Sequence, residues 1–117
     1  MADSIMLNNA KDFAVEIVLI CRKVKENKAE SVLVNQLLRS GTSIGANIHE
    51  SKYAQSKADF ISKMQIALKE CYETEYWLEL LYKSHCLEEN DYKKLANSCG
   101  SIRRMLISSI NTVKSNN

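Results

Sequence analysis

Apolar side chains recur every three or four positions along almost the whole chain, so the sequence reads as a succession of amphipathic helices. In the first, Ala10, Phe13, Ile17, Ile20, Cys21 and Val24 share one face, which predicts a helix over about 9–26 with Asn9 as its N-cap and Asp12 three residues on. A second stripe, Val34, Leu37, Leu38, Gly41, Ile44, Gly45 and Ile48, predicts a helix over 31–53. Ser56 followed by Asp59 has the form of a capping box and opens a third helix over 56–84, with a stripe of Phe60, Ile61, Met64, Ala67, Leu68, Cys71, Leu78 and Tyr82. Leu87 and Tyr92 bracket the start of a fourth helix over 88–114 like a hydrophobic staple, and Glu88, Glu89 and Asp91 put negative charge in its first turn. Its stripe is Leu95, Cys99, Ile102, Leu106, Ile110 and Val113, with Lys93, Asn97, Arg104, Ser108 and Asn111 on the far side. Links of only a few residues make sequential helices antiparallel neighbours. The predicted architecture is therefore all-α, a single domain over 1–117 folded as an antiparallel up-down-up-down four-helix bundle.

Composition agrees. Proline is absent and glycine occurs three times in 117 residues, which removes most of the punctuation that sheets and long loops require. The 45% of apolar and 26% of charged residues are typical of globular rather than disordered chains. Gly41 and Gly45 fall inside the second helix, where each costs about 1 kcal/mol against alanine. Either a neighbouring backbone approaches closely there or the helix kinks. Cys21, Cys71, Cys86 and Cys99 are widely spaced and form no C-x-x-C pair, so reduced core cysteines are expected. The start, Met1-Ala2-Asp3-Ser4-Ile5, has neither a basic leader nor a long apolar core, and no run approaches eighteen apolar residues. The expectation is a soluble cytoplasmic protein with no membrane contact.

Two polar-faced ridges are left over once the stripes are buried. Arg39, Ser43, Asn47 and Glu50 stack on the second helix about opposite its apolar stripe, and Ile66, Trp77 and Leu80 form a ridge on the third with Glu70 and Glu73. Exposed Trp and Leu beside Arg and Glu are the composition of a protein interface. Self-association through helices two and three is therefore expected, with Arg39 and Glu73 as its charged pair and Trp77 as its apolar anchor; the alternative is that the bundle itself uses both faces. Glu75 falls inside the third stripe, where a carboxylate needs an Arg or a Tyr hydroxyl.

The formal charge is +2, well below the excess usual in a dedicated nucleic-acid binder. Arg22, Lys23, Lys25 and Lys28 crowd the end of the first helix, where cations suit the helix dipole. They become candidate contacts for RNA or DNA only if the fold gathers them with Lys93, Lys94, Arg103 and Arg104 on one rim. His49 and His85 stand apart from any metal-ligand spacing, and the Glu-x-x-His repeat of di-iron bundles is missing. Glu70, Glu73, Glu75 and Glu79 lie close to Lys63, Lys69 and Lys83, which favours a solvated, ion-paired helix over a metal site. No enzyme activity, metal, cofactor or small-molecule substrate is expected.

The runs Leu37-Leu38-Arg39-Ser40-Gly41-Thr42-Ser43-Ile44-Gly45-Ala46-Asn47-Ile48-His49-Glu50, Phe60-Ile61-Ser62-Lys63-Met64-Gln65-Ile66-Ala67-Leu68-Lys69-Glu70 and Glu73-Thr74-Glu75-Tyr76-Trp77-Leu78 resemble the four helix bundle protein family, also called 23S rRNA intervening sequence proteins. The resemblance covers nearly the whole chain. It implies a bacterial up-down bundle that assembles as a cyclic homopentamer around a central channel and acts as a macromolecule-binding scaffold. A related member, the accessory variability protein of diversity-generating retroelements, is similar in fold and binds a reverse transcriptase and nucleic acid through a markedly basic surface, so the alternative function implied is an RNA- or DNA-binding accessory module. The family's recurring polar positions correspond to Arg39, Ser43, Asn47, Glu50 and Glu73.

Overall fold

The computed structural model describes residues 2–116, with side chains from Ile5 onward; Met1, where the segment read for a leader begins, and Asn117 lie outside them. Four helices follow one another, α1 (Ala2–Glu26), α2 (Ser31–Ser51), α3 (Lys57–Lys83) and α4 (Glu89–Ser115). Among the described residues there is no strand. α1 packs on α2 and α4, and α3 packs on the same two, while the backbones of neither diagonal pair come close. Short links turn the chain back on itself each time, giving the up-down-up-down bundle, 50 × 21 × 19 Å in extent.

α1 begins seven residues before the expected Asn9 cap. The reason is packing: Met6 and Leu7 extend the core stripe one turn toward the N-terminus, at 2% and 5% exposure, and their burial overrides the weak helix propensity of Asn8 and Asn9. The other boundaries agree with the expected ones to within two residues. Ser56 caps α3, its hydroxyl accepting from the Asp59 N–H at 3.0 Å. The Asp59 carboxylate accepts from the Gln55 N–H at 3.2 Å, one residue further back than a capping box places it. α1 and α3 end in left-handed residues, Lys28 (φ 65°) and His85 (φ 66°), a position glycine usually fills. The Ala29 N–H bonds the Val24 carbonyl at 3.0 Å and the Cys86 N–H bonds the Leu81 carbonyl at 2.9 Å, so each turn satisfies an orphan helix carbonyl.

The core is built from Phe13, Ile17, Leu37, Ile44, Met64, Leu78, Ile102 and Leu106, all wholly or almost wholly removed from water. The stripe of α3 sits differently from the expected one. Met64, Ala67, Glu70, Cys71, Thr74, Leu78 and Leu81 are buried, which turns the helix toward α2 and leaves Phe60, Leu68 and Tyr82 at the core's edge. Two polar residues lie in that stripe, and their partners on α2 make the rotation possible.

Gly41 marks the close approach of α1 and α2. A Cβ built on it would stand 2.9 Å from both Cγ1 and Cγ2 of Ile17, whereas at Gly45 the nearest atoms, on Ala10, are at an ordinary 3.5 Å. Of the two glycines, Gly41 is therefore the one that the packing demands. Cys21, Cys71 and Cys99 are buried free thiols and Cys86 is half-buried. Burial pushes the Cys21 thiol up to about 11, partly offset by Lys25. Hydrogen bonding to Cys71 and then burial raise Cys99 as well.

Candidate interaction surface

The seam between α2 and α3 gathers the residues singled out on both helices. Arg39 reaches across it: Nη1 donates to Glu70 Oε2 at 3.0 Å, Nη2 binds Glu73, and Nε donates to Gln36 Oε1 at 3.2 Å. Glu73 also accepts from Trp77 Nε1 at 3.0 Å. Beneath this cluster the hydroxyls of Thr74 and Ser40, both fully buried, lie 3.0 Å apart. On the far turns Ser43 Oγ donates to the Arg39 carbonyl at 2.6 Å, Asn47 Nδ2 to the Ser43 carbonyl at 2.8 Å, and Lys63 stands 3.5 Å from Glu50.

This arrangement corrects three expectations. Arg39 and Glu73 pair within one chain, across α2 and α3, rather than offering opposite charges to a second subunit. Glu70 is 8% exposed and belongs to the core stripe, because a guanidinium on the neighbouring helix neutralises it there. Trp77 packs half-buried against the core with its indole N–H already bonded, and Leu80 is half-buried too; of that ridge, Ile66 is the exposed apolar member. Glu75 has the arginine its place required, with Arg103 Nε donating to it at 3.0 Å; that pairing holds the Arg103 guanidinium above its ordinary range.

The apolar surface that does face solvent lies elsewhere. On α3, Tyr72 and Tyr76 are more than half exposed and lie a turn apart. On α1, Ile5, Val15 and Leu19 are likewise more than half exposed, on the side away from Ala10, Phe13 and Ile17. The signal for this second face was present in the sequence: Val15 and Leu19 are four residues apart and fall opposite the stripe that predicted the helix. Because α1 and α3 occupy opposite corners of the bundle, the two stripes point away from one another.

The basic candidates do not assemble into a free patch. Lys23 stands 2.8 Å from Asp91, a bond that raises its pKa, and 3.7 Å from Glu88. Lys94 pairs with Glu16 at 3.0 Å, Lys93 with Glu89 at 3.4 Å, and Arg103 with Glu75. Arg22, Lys25, Lys28 and Arg104 are the members without an ion pair among the described residues. Arg103 and Arg104 lie about ten residues along α4 from Lys93 and Lys94, roughly 15 Å at the helical rise. One rim does not hold all eight.

Other chemistry finds no convergence. Glu70 and Glu73 are taken by Arg39, Glu75 by Arg103, and Glu79 stands 3.7 Å from Lys83. Among the described residues no group of three His, Cys, Asp or Glu is placed to hold a metal. An open hollow of about 400 Å³ lies between the start of α1 and the turn joining α2 to α3, lined by Met6, Ile48, Phe60 and Met64 among others. The hydroxyls on its wall are already used, Ser51 by the Ile48 carbonyl and Ser56 by the α3 cap. Among the described residues no helix is long and apolar enough to cross a membrane.

Residues 2–108 match a family model described as 23S rRNA-intervening sequence protein. Among solved structures, the chain is similar to a crystal structure of a protein of unknown function from the S23 ribosomal protein family from Bacteroides thetaiotaomicron VPI-5482. The two are 46% identical, with 95% of this chain and 99% of that chain covered and a TM-score of 0.92. No curated protein matches the chain.

Proposed function

Because the chain belongs to the 23S rRNA-intervening sequence protein family, we propose that it is a non-catalytic, self-associating scaffold that works in the cytoplasm through its surfaces. One observation carries this reading. A subunit whose core is complete still exposes two separate apolar stripes, Val15 and Leu19 on α1 and Tyr72 and Tyr76 on α3. Single exposed apolar side chains are ordinary, but stripes at helical spacing on two helices mark surfaces meant to be covered. Free thiols at four positions suit a reducing compartment. The family resemblance favours a closed ring of five. Support for self-association over nucleic-acid binding comes from the cations, since Lys23, Lys93, Lys94 and Arg103 are engaged by carboxylates of the same chain.

The test is light scattering on the size-exclusion peak of the purified chain. A mass that is a whole multiple of the subunit is expected at about 10 µM, a concentration at which a standard-sized interface assembles. A monomer under those conditions overturns the reading.

A further inference from the structure

Resting on that reading, the geometry points to a heterologous contact in which the outer face of α1 on one subunit lies parallel against the outer face of α3 on the next, in a register fixed by the fold itself. Gly41 lies against Ile17, and its neighbour Ser40 bonds Thr74. Ile17 and Thr74 therefore share a level in the bundle, although they are 57 positions apart, and α1 and α3 run in the same direction. A rotation about an axis parallel to the bundle moves a subunit sideways without changing levels. It sets each α1 residue beside the α3 residue 57 positions further on in its neighbour.

That register is complementary. Val15 meets Tyr72 and Leu19 meets Tyr76, all four more than half exposed in the lone chain. On either side of this apolar centre, Asp12 meets Lys69, Arg22 meets Glu79 and Glu26 meets Lys83, so every charge faces its opposite. Asp12, Lys69, Arg22 and Glu26 make no ion pair within the subunit among the described residues, while Glu79 and Lys83 pair only with each other. The positions 12, 15, 19, 22 and 26 step by three and four, as do 69, 72, 76, 79 and 83, which is the seam spacing of packed parallel helices. A shift of the partner by one helical turn sets Leu19 against Leu80 but brings Arg22 to Lys83 and Asp12 to Glu73. Like charges then oppose the slip.

Two different faces per subunit make a head-to-tail contact, which closes into a ring or runs on as a filament. Closure is favoured here because one member of each stripe, Leu19 on α1 and Tyr72 on α3, lies on the α4 side. Leu19 borders the groove between α1 and α4 beside Lys94 and Leu95, and the Tyr72 ring lies 5.6 Å beneath Arg103 of α4. A ring closed through these faces carries α4 on its inner side, with Asn97, Arg104 and Ser108 toward the axis.

The test uses Leu19→Asp and Tyr76→Asp, prepared separately and examined by native mass spectrometry. Each variant alone loses assembly, the subunit concentration required rising by about 100-fold or more for a charge forced into an apolar seam. Mixed in equal amounts they form a heterodimer and nothing larger, because each retains one intact face. Absence of that heterodimer, or full-sized oligomers from both variants beside an oligomeric wild type, overturns the pairing while self-association stands. A monomeric wild type overturns both. Circular dichroism checks that the variants remain helical. If either unfolds, the exposed swap decides: Asp12→Lys weakens assembly, and adding Lys69→Asp restores it if the register is right; failure to restore it overturns the pairing.

Discussion

Gly41→Ala and Gly100→Ala make the same chemical change in two helix interiors, and the structure assigns them opposite signs. Either substitution gains about 1 kcal/mol of helix propensity, less whatever the new methyl collides with. At Gly41 the methyl stands 2.9 Å from two carbons of Ile17, well inside the ordinary contact distance of about 3.5–4.0 Å. Ile17 is fully buried and β-branched, with one favoured rotamer in a helix, so it has nowhere to swing. Overpacking of this kind costs about 2–3 kcal/mol and leaves a net loss of about 1–2 kcal/mol. At Gly100 the methyl meets only the guanidinium tips of Arg104 at 3.3 Å and Arg103 at 3.4 Å, which move aside easily. There the gain survives, at about 0.5–1 kcal/mol. The two variants should differ by about 2 kcal/mol, or roughly 8 °C in Tm for a domain of this length. Thermal and urea unfolding followed by circular dichroism, at one fixed subunit concentration, measures it. A Gly41→Ala variant as stable as wild type refutes the close approach of α1 and α2; a destabilised Gly100→Ala refutes the easy displacement of the two guanidinium tips on α4. In a double-mutant cycle, Ile17→Ala should cost less in the Gly41→Ala background than alone, because the new methyl occupies part of the cavity.

Arg39→Ala should destabilise by about 1–3 kcal/mol in urea titration, because it strands the nearly buried Glu70 carboxylate without its cation. Arg39→Lys should recover only part of this, since one ammonium does not replace a fork that reaches Glu70 and Glu73 together. His85→Gly should stabilise by about 0.5–1 kcal/mol, read as a rise in Tm, by relieving a left-handed backbone. Of the four thiols, Cys86 should react first with a thiol reagent at pH 8. Cys71 and Cys99 are fully buried, and Cys21 is buried with its thiol pushed up to about 11, so they should wait for unfolding; four equal rates contradict the buried placement.

The fold was legible because the stripes of α1 and α4 are apolar without interruption and that of α2 is broken only by small residues, Ser40 and Ser51 among them, so the period of 3.6 alone orients all three. α3 was legible as a helix but misread in phase. Its core face carries Glu70 and Thr74, and a carboxylate reads as solvent-facing until its partner is known. Arg39 and Ser40, more than thirty positions earlier, supply those partners, and no local pattern links them. The same gap displaced the candidate surface. Charges on α2 and α3 were singled out as a group and assigned to a contact between subunits; within the one chain they already satisfy one another. The stripe of Val15 and Leu19 passed unnoticed because α1 already had a convincing buried face. Asn9 misled in a simpler way: cap propensity is worth about 1 kcal/mol, and the burial of Met6 and Leu7 exceeds it.

The central claim is that a chain with a finished core still carries surface that belongs against copies of itself. Sedimentation equilibrium of the wild-type chain over a dilution series tests this most directly, because mass is read without reference to shape. The account predicts a weight-average mass that climbs with concentration to a fixed whole multiple of the subunit and stays there. A mass of one subunit throughout the series, up to and including about 10 µM where a standard-sized interface assembles, contradicts it.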